Sequence, residues 1–422
     1  MDKMKILWLR IGVTNLLIVA LLGFVMRYKI GFEFPWFHQK HLQHAHAHFA
    51  FGGWVTHTLF VLLGSFLQKN ILHWQGRKYN WLIGANLACS YGMLGAFMWQ
   101  GYGAVSIAFS TLFIFVGYAF ARTFWRDARR VAADHPATRW FRAALAFMVL
   151  SSLGTFALAY MMATKQVPQK IYLASVYFYL HFQYNGWFLF ALAGLLTSRL
   201  YELGSDLTPT LRTYRLFVWS CVPTYFLSAL WLDLPWWLYA VTVVGALMQS
   251  AGAWTLVWPM FVGRKVLCKL IPRVSQWLFL ASIVALVVKI ALQLGSVIPA
   301  VSQLAFGFRT VVIAYLHLVL LLFVSLFLLA YAYSFHYIRN RPWTAYGLYL
   351  FAAGAALNEL TLGAQGIASF RYVLIPYANH LLVLASGIMA FGLALLMWAN
   401  RGARLDAGLI RRRQSAAQAI RP

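Results

Sequence analysis

The residues best suited to chemistry in this sequence are histidines that lie inside apolar runs. An ionisable side chain is costly in such a setting unless it pairs with another group, binds a ligand or lines a path. Histidine is also the commonest metal ligand, through its neutral imidazole. The pattern therefore favours metal or heme ligation. With one lysine and one glutamate in similar positions, the residues are His44, His46, His48, His57, His181, His317, His380, Lys289 and Glu359.

Composition indicates that membrane helices hold these side chains. Of 422 residues, 62% are hydrophobic and 10% are charged, whereas roughly a quarter are charged in a soluble protein. The net charge of +26 does not indicate nucleic-acid binding, because the basic residues lie in short segments between apolar runs. The three cysteines, Cys89, Cys221 and Cys268, form neither a disulfide framework nor a CxxC metal motif.

Twelve runs are long enough to span a membrane, which takes about 20 mostly apolar residues. They predict an all-α, polytopic membrane helix bundle of about twelve transmembrane helices. Residues 1–400 form its single domain and 401–422 a basic cytoplasmic tail. The runs cover residues 5–26, 46–67, 80–99, 102–122, 141–163, 171–197, 212–232, 235–261, 275–295, 309–334, 343–365 and 377–399.

Loop charges predict the orientation of the bundle. Sixteen lysines and arginines lie in one alternate set of loops, against six in the other set. Because basic loops stay on the cytoplasmic side, the rich set and both termini are expected there. The six residues of the poor set are Arg27, Lys29, Lys40, Lys165, Lys170 and Arg371.

This orientation gives each ionisable residue a depth, at about 1.5 Å of rise per residue. His181 lies about ten residues below the outer end of the sixth run, and His317 lies about eight residues into the tenth. Only His57 falls near mid-depth; the other ionisable groups lie in the outer half. Four helices that run the same way thus each place a histidine at similar depth.

The second run carries the densest group. His44 and His48 are four residues apart and share a helical face, whereas His46 points nearly the opposite way. One helix is therefore able to offer a ligand to a central cofactor and another to a second group. Gly52 and Gly53 follow among aromatic residues, and they permit close approach by a neighbouring helix or by a flat macrocycle.

Plainer roles also fit these residues. A membrane histidine often serves as a hydrogen-bonding strut between helices. Lys289 and Glu359 fit a structural ion pair, or side chains that snorkel to the outer headgroups. The shared depth of the histidines favours a metal or heme site over a set of struts.

This layout resembles a divergent subunit I of the heme–copper oxidase and nitric-oxide reductase superfamily, over nearly the whole chain but through short motifs. In that superfamily histidines from helices two and ten hold a low-spin heme, and His46 or a close neighbour and His317 match those positions. His181, in the stretch His-Phe-Gln-Tyr-Asn-Gly, resembles the copper ligand of helix six.

Two departures bear on the chemistry. The superfamily's helix-ten His-x-His reads Tyr315-Leu-His317 here, and no histidine occurs at 220–228, where its helix-seven pair would fall. The resemblance therefore implies a retained low-spin heme and an altered or lost oxygen-reducing centre. The chain is also similar to the NnrS-type heme- and copper-containing membrane proteins, through residues 44–53 and 379–387.

The resemblance implies a heme b with two imidazole ligands, one of His44, His46 and His48 together with His317. A bis-histidine heme transfers electrons rather than binding a gas. Arg309 and Arg371 are candidates for the heme propionates, or for interfacial anchors.

A second site for copper or another metal would use His181, His380 and Glu359, with Tyr315 beside them. A small gas such as oxygen or nitric oxide is its candidate substrate, if the protein is an oxidoreductase at all.

The expected partners are the lipid bilayer of a bacterial cytoplasmic membrane and a redox donor protein or quinone, since the sequence has no CxxCH motif for a covalent heme. Two functions from other classes remain. One is a proton-coupled secondary transporter that uses Lys289, Glu359 and the histidines. The other is a non-catalytic assembly factor for metal or heme.

Overall fold

The computed structural model describes residues 3–232 and 234–401. Every regular element in these ranges is helical, so the predicted all-α class is confirmed. Of the predicted basic tail, 401–422, only Arg401 falls within the described residues.

Twelve helical segments follow one another in the order of the predicted runs, with two short helices, Arg264–Leu270 and Pro299–Gly307, in the connections. The segments are α1 (Lys3–Gly31), α2 (Gln39–Asn70), α3 (Arg77–Gln100), α4 (Ala104–Asp127), α5 (Ala137–Thr164), α6 (169–202), α7 (Leu211–Cys221), α8 (Trp236–Val262), α9 (Arg273–Gly295), α10 (Arg309–Ser334), α11 (Pro342–Ser369) and α12 (Ala378–Ala399).

Within the described ranges, nine helices are long and apolar enough to cross a membrane; α6, α7 and α11 are not among them. These long apolar helices are compatible with an integral, multi-pass membrane protein. The count of twelve spanning helices and the orientation of the termini are not confirmed and stay predictions.

The seventh segment differs most from its predicted run. Instead of one helix over 212–232, the structure has α7 of 11 residues, followed by a 3₁₀ helix, Pro223–Ala229. Pro223 has no backbone N–H to continue the α-helical hydrogen bonds, and from this residue on the helix has the narrower 3₁₀ geometry.

Three helices change to π-helical geometry part of the way along. The π segments are Ala50–Thr56 in α2, Phe182–Phe188 in α6 and Leu318–Ser325 in α10. In α6 and α10 the segment starts directly after a histidine, His181 or His317. Such π segments occur frequently at functional sites, and nothing in the hydrophobic pattern of the sequence predicts them.

Small residues let the last two helices pack backbone to backbone. A Cβ atom built on Gly347 of α11 would lie 2.6 Å from the carbonyl oxygen of Gly392 of α12, and one built on Gly354 would lie 2.8 Å from that of Ala385. This contact holds α12 against α11 without large side chains between them.

Gly52 and Gly53 also serve packing. A Cβ atom on Gly52 would lie 2.9 Å from the hydroxyl oxygen of Ser90 on α3, and one on Gly53 would meet the Phe49 ring at 2.7 Å. Of the two roles that the sequence left open, close approach by a neighbouring helix is therefore shown for Gly52, whereas Gly53 makes room for a ring of its own helix.

Candidate cofactor site

A cavity of about 600 Å³ lies along α2 and has a mainly apolar wall. This volume falls within the range of about 300–1,000 Å³ that is usual for ligand sites. Helices α1, α10, α11 and α12 form one side of the cavity, and α4, α5 and α6 form the other. The histidines and arginines that line it are His44, His46, His48, His317, Arg27 and Arg309.

His46 points from α2 towards α1. Its Nδ1 atom lies 3.1 Å from the carbonyl oxygen of Val19. Because a carbonyl can only accept a hydrogen bond, the proton of the neutral ring sits on Nδ1 and the lone pair on Nε2 stays free. Gly23 makes room for the ring, since a Cβ atom there would already lie 3.4 Å from His46 Cε1.

His317 has the same arrangement on α10. Its Nδ1 atom lies 2.8 Å from the carbonyl oxygen of Ile313, one turn earlier in the helix, so its Nε2 lone pair is also free. The rings of His46 and His317 line the same cavity and are close enough to interact electrostatically. Metal-ligating histidines typically donate their other ring N–H to such a carbonyl, which fixes the ring and its tautomer.

Two arginines lie beside these histidines. The guanidinium of Arg309 donates to the side-chain oxygen of Gln43 at 2.8 Å. Arg27, near the end of α1, lines the same cavity and interacts electrostatically with both His46 and His317. The cavity therefore combines two free imidazole nitrogens with two cations.

Sequence reasoning missed Arg27, because its place at the end of an apolar run made it look like an ordinary loop charge. One feature of the sequence could have indicated a place in the cavity. Arg27 lies one helical turn after Gly23, so it belongs to the last turns of α1 and not to the loop that follows. Arg371, proposed beside Arg309 for the same role, is exposed and does not line the cavity.

His44 and His48 face away from His46, as their spacing predicts. The His48 ring stacks on Phe97 with ring centroids 4.2 Å apart, and its Nε2 atom lies 3.2 Å from the hydroxyl oxygen of Tyr102. His44 meets Tyr102 edge-on at 4.6 Å. These contacts engage both histidines with α3 and the connection that follows it, and they leave His46 as the α2 histidine beside His317.

His181 lies in a fully buried hydrogen-bonded position rather than in the cavity wall. Its Nε2 atom lies 2.8 Å from the carbonyl oxygen of Cys221, and its Nδ1 atom accepts from the Asn185 amide at 3.0 Å. The Cys221 carbonyl lacks its helical partner because the Tyr225 N–H bonds to Val222 instead. His181 thus satisfies the end of α7, and both of its ring nitrogens are used.

His380 and Glu359, the other candidates for the second metal site, and Lys289, a candidate for the transporter site, do not line the cavity. His380 is exposed at the start of α12. A side-chain oxygen of Glu359 is buried without a hydrogen-bond partner. Lys289 is 0% exposed and donates to Gln293 on its own helix at 2.6 Å, and in the ranges that the structure describes no ion pair joins it to Glu359.

Within residues 3–232 and 234–401, no group of three or more His, Cys, Asp or Glu side chains is arranged to hold a metal ion. His181, His380 and Glu359 are accordingly not brought together. The second metal site stays a prediction from sequence.

The π segments connect the helices of the site. The indole N–H of Trp54 donates to the Ser325 hydroxyl at 2.9 Å, which joins α2 to α10. The indole of Trp187 on α6 donates to the Thr56 hydroxyl at 3.3 Å. Two amides, Asn15 on α1 and Asn86 on α3, bond to the carbonyl oxygens at 53 and 52 in α2, at 2.6 and 3.2 Å. These bonds fix the layer directly below the histidines.

The far side of the cavity is lined by hydroxyl and amide groups. Tyr118 on α4 is hydrogen-bonded to Ser152 on α5, and the Gln183 amide on α6 donates to Ser151 at 2.9 Å. On the histidine side, the amide nitrogen of Asn358 lines the cavity without a hydrogen-bond partner. The cavity therefore offers polar contacts at both sides of an apolar middle.

Comparison with known proteins does not add a family: no family model matches the chain, and no curated protein matches its sequence. In the residues that the structure describes, the fold is all-helical, its long apolar helices are compatible with a multi-pass membrane protein, and the cavity along α2 is lined by four histidines and two arginines. The resemblance to heme–copper oxidase subunit I stays a prediction.

Proposed function

We propose that this protein is an integral membrane heme protein in which His46 and His317 would hold the iron of a low-spin b-type heme. The observation that supports this most is that the two imidazole rings have the same tautomer and the same free nitrogen. Each donates its Nδ1 proton to a backbone carbonyl and keeps its Nε2 lone pair free beside the same cavity. The chain would then be a divergent relative of heme–copper oxidase subunit I.

The residues around the cavity suit such a group. The carbonyls of Val19 and Ile313 orient the two imidazoles and make their free nitrogens more basic. Arg27 and Arg309 would supply cations for the two propionate carboxylates of the heme. Arginine forms strong, charge-assisted hydrogen bonds with carboxylates. His46 and His317 would together hold the heme iron, and a heme held by two histidines would supply one-electron transfer.

The apolar wall contributes by excluding water. Aromatic and aliphatic side chains such as Phe51, Phe351 and Leu16 line the space between the polar groups. A low-dielectric wall favours neutral imidazoles, which are the form that binds a metal, and it strengthens the attraction between the arginines and an anionic group.

The wider reaction is a proposal of the same kind. We propose that electrons come from a redox donor protein or a quinone at a bacterial cytoplasmic membrane. Reduction of oxygen or nitric oxide would need a second metal such as copper. His181 would have to give up its bond to Cys221 or to Asn185 before it could bind that metal. The structure therefore supports electron transfer better than gas reduction.

The two alternatives receive less support. A proton-coupled transporter would use Lys289 and Glu359, yet neither lines the cavity that holds the histidines. An assembly factor for heme or metal would use the same cavity but release its cargo. Heme that stays at constant stoichiometry through purification, without transfer to an added apoprotein, favours the electron-transfer function.

The test is the reduced-minus-oxidised absorbance spectrum of the purified protein, together with its iron content. We expect one low-spin b-type signal that His46→Ala and His317→Ala each abolish or convert to a high-spin signal. His57→Gln is the control, because His57 is a histidine of α2 that is more deeply buried than His46 or His317 but bonds to the Trp8 carbonyl and does not line the cavity. A colourless, iron-free protein would refute the proposal, and an unchanged spectrum in His317→Ala would refute the ligand assignment.

A further inference from the structure

A second cavity, of about 490 Å³, lies where α4 ends and where α5 and α7 begin. This is the end of the helices that the loop charges predict to be cytoplasmic. It shares no lining residue with the histidine cavity. Neither the sequence pattern nor the proposed heme function uses it.

Three hydrogen-bond donors in the lining of this cavity have no partner, whereas the Nε atom of Arg139 donates to the Pro136 carbonyl at 3.2 Å. The Ala137 N–H donates to His135 Nδ1 at 3.3 Å, so the proton of the neutral ring sits on Nε2, which has no partner. The Thr138 hydroxyl and the Nε atom of Arg142 are also without partners. His135 is 6% exposed and Thr138 is 8% exposed, so bulk water does not satisfy these groups easily.

The charges around this cavity are positive. Arg139 and Arg142 line it, and no aspartate or glutamate does so. Two carboxylates, Glu202 and Asp134, act electrostatically on His135, but neither lines the cavity, and Glu202 is paired with Lys69 at 2.6 Å. Burial lowers the pKa of His135, so its ring donates a hydrogen bond while it is neutral. An occupant must therefore supply acceptor oxygens and negative charge.

The rest of the cavity wall is apolar and extends along α5 into the bundle. Ala143, Ala146 and Phe147 follow the basic residues on the same helix, and Val218 of α7 faces them across the cavity. Residues 138 and 147 are about 13 Å apart along the helix axis. Ala146 is exposed and Trp125 is 38% exposed, so this end is open to the bilayer.

From this combination we propose that the cavity binds an anionic phospholipid. Its phosphate would meet His135, Thr138 and the two arginines, and one acyl chain would follow the apolar wall towards Phe147. Basic pockets between membrane helices on the cytoplasmic side are suited to anionic headgroups. Inorganic phosphate shares the headgroup chemistry but leaves the apolar wall uncovered, and the experiment separates the two.

The experiment measures the melting temperature of the purified, delipidated full-length protein in neutral detergent. Dioleoylphosphatidylglycerol, dioleoylphosphatidylcholine and inorganic phosphate are titrated in separate arms. We expect only the phosphatidylglycerol to raise the melting temperature, because a ligand that binds the folded state stabilises it by mass action. Native mass spectrometry of the same samples counts the bound lipid.

Three variants locate the effect. Arg142→Gln should weaken phosphatidylglycerol binding about tenfold, since it removes a hydrogen bond to a charged group. Thr138→Val removes the hydroxyl donor with little change in side-chain volume, and it should also weaken phosphatidylglycerol binding. Ala146→Trp should block the acyl chain and leave the phosphate donors in place. Arg126→Gln is the matched control, because Arg126 is exposed on α4 and does not line the cavity.

Each alternative outcome overturns the proposal. Equal stabilisation by phosphatidylcholine would show that charge is not recognised. Full stabilisation by phosphate, unaffected by Ala146→Trp, would make the cavity a site for a free anion. An equal loss in Arg126→Gln and Arg142→Gln would reduce the effect to general surface charge. If Thr138→Val and Arg142→Gln each bound phosphatidylglycerol as strongly as the wild type, the lipid site would lie elsewhere.

Discussion

The indole N–H of Trp54 donates to the hydroxyl of Ser325 at 2.9 Å, and this bond connects the two helices that carry His46 and His317. Each of the bonded residues follows its histidine by eight positions. Each also lies near the end of a π segment. The bond therefore fixes the spacing of α2 and α10 about two turns below the paired imidazoles, which makes Trp54 a positioning residue for the site.

Trp54→Phe tests that role, because it removes the N–H and keeps an aromatic ring in place. Loss of one buried hydrogen bond should cost about 1–3 kcal/mol of stability. If the bond also sets the separation of the two ligands, heme should stay bound while its low-spin signal and midpoint potential shift. The measurements are electron paramagnetic resonance and a redox titration.

The control for Trp54→Phe is Trp187→Phe. Trp187 makes a comparable bond to Thr56 but does not line the histidine cavity. We expect similar destabilisation without a spectral shift. Equal spectral shifts in the two variants would mean that the effect is general loosening of the bundle.

Gly23 is predicted to be the position at which α1 limits the His46 ring. A single Cβ atom fits there, at 3.4 Å from His46 Cε1, but the branched chain of valine would reach the ring. Gly23→Ala should therefore keep the heme, and Gly23→Val should reduce heme retention about tenfold or more, because overpacking typically costs about 1–3 kcal/mol. Gly95→Val is the control, since nothing lies within 4 Å of a Cβ atom at Gly95. Heme-to-protein ratios after purification measure the difference, and normal loading of Gly23→Val would contradict the placement of His46.

The two cavity arginines should tune the reduction potential. A nearby cation favours the reduced state of a metal centre, so Arg27→Gln and Arg309→Gln should each lower the midpoint potential. Arg371→Gln should leave the midpoint potential unchanged, because Arg371 does not line the cavity, although it is exposed like Arg309. Redox titration of the three variants decides the matter. An equal shift of the midpoint potential in Arg371→Gln and Arg309→Gln would instead favour Arg309 and Arg371 as the propionate partners, as the sequence predicted.

Hydrophobic periodicity and histidine spacing predicted much of this arrangement. Runs of apolar residues gave the order of the twelve helical segments, because a helix able to cross a membrane needs about 20 mostly apolar residues in succession. The spacing of His44, His46 and His48 gave their opposite faces correctly, because helical geometry fixes the directions of side chains that are two and four residues apart.

The remaining features depend on contacts between residues far apart in the sequence. Nothing near His181 reveals that its Nε2 atom bonds to the Cys221 carbonyl, which loses its α-helical N–H partner where the 3₁₀ helix begins at Pro223. The place of Arg27 in the cavity likewise depends on how α1 packs against α2 and α10. Both the hydrogen bond of His181 and the position of Arg27 depend on tertiary packing, which a single sequence does not reveal.

His181 provides the sharpest contrast between a metal ligand and a strut. Its two ring nitrogens bond to Cys221 and Asn185 in a fully buried setting, so His181→Ala should leave unsatisfied groups and cost about 1–3 kcal/mol or more. Because His181 does not line the histidine cavity, the low-spin spectrum and the iron content expected from the proposed function should persist. A copper ligand would behave differently: its loss would remove bound copper and any gas-reducing activity. Elemental analysis of wild-type protein, His181→Ala and the control His57→Ala, together with their melting temperatures, separates these roles. Stoichiometric copper in the wild type that only His181→Ala removes would restore the second metal site and require His181 to exchange its hydrogen bonds for a metal.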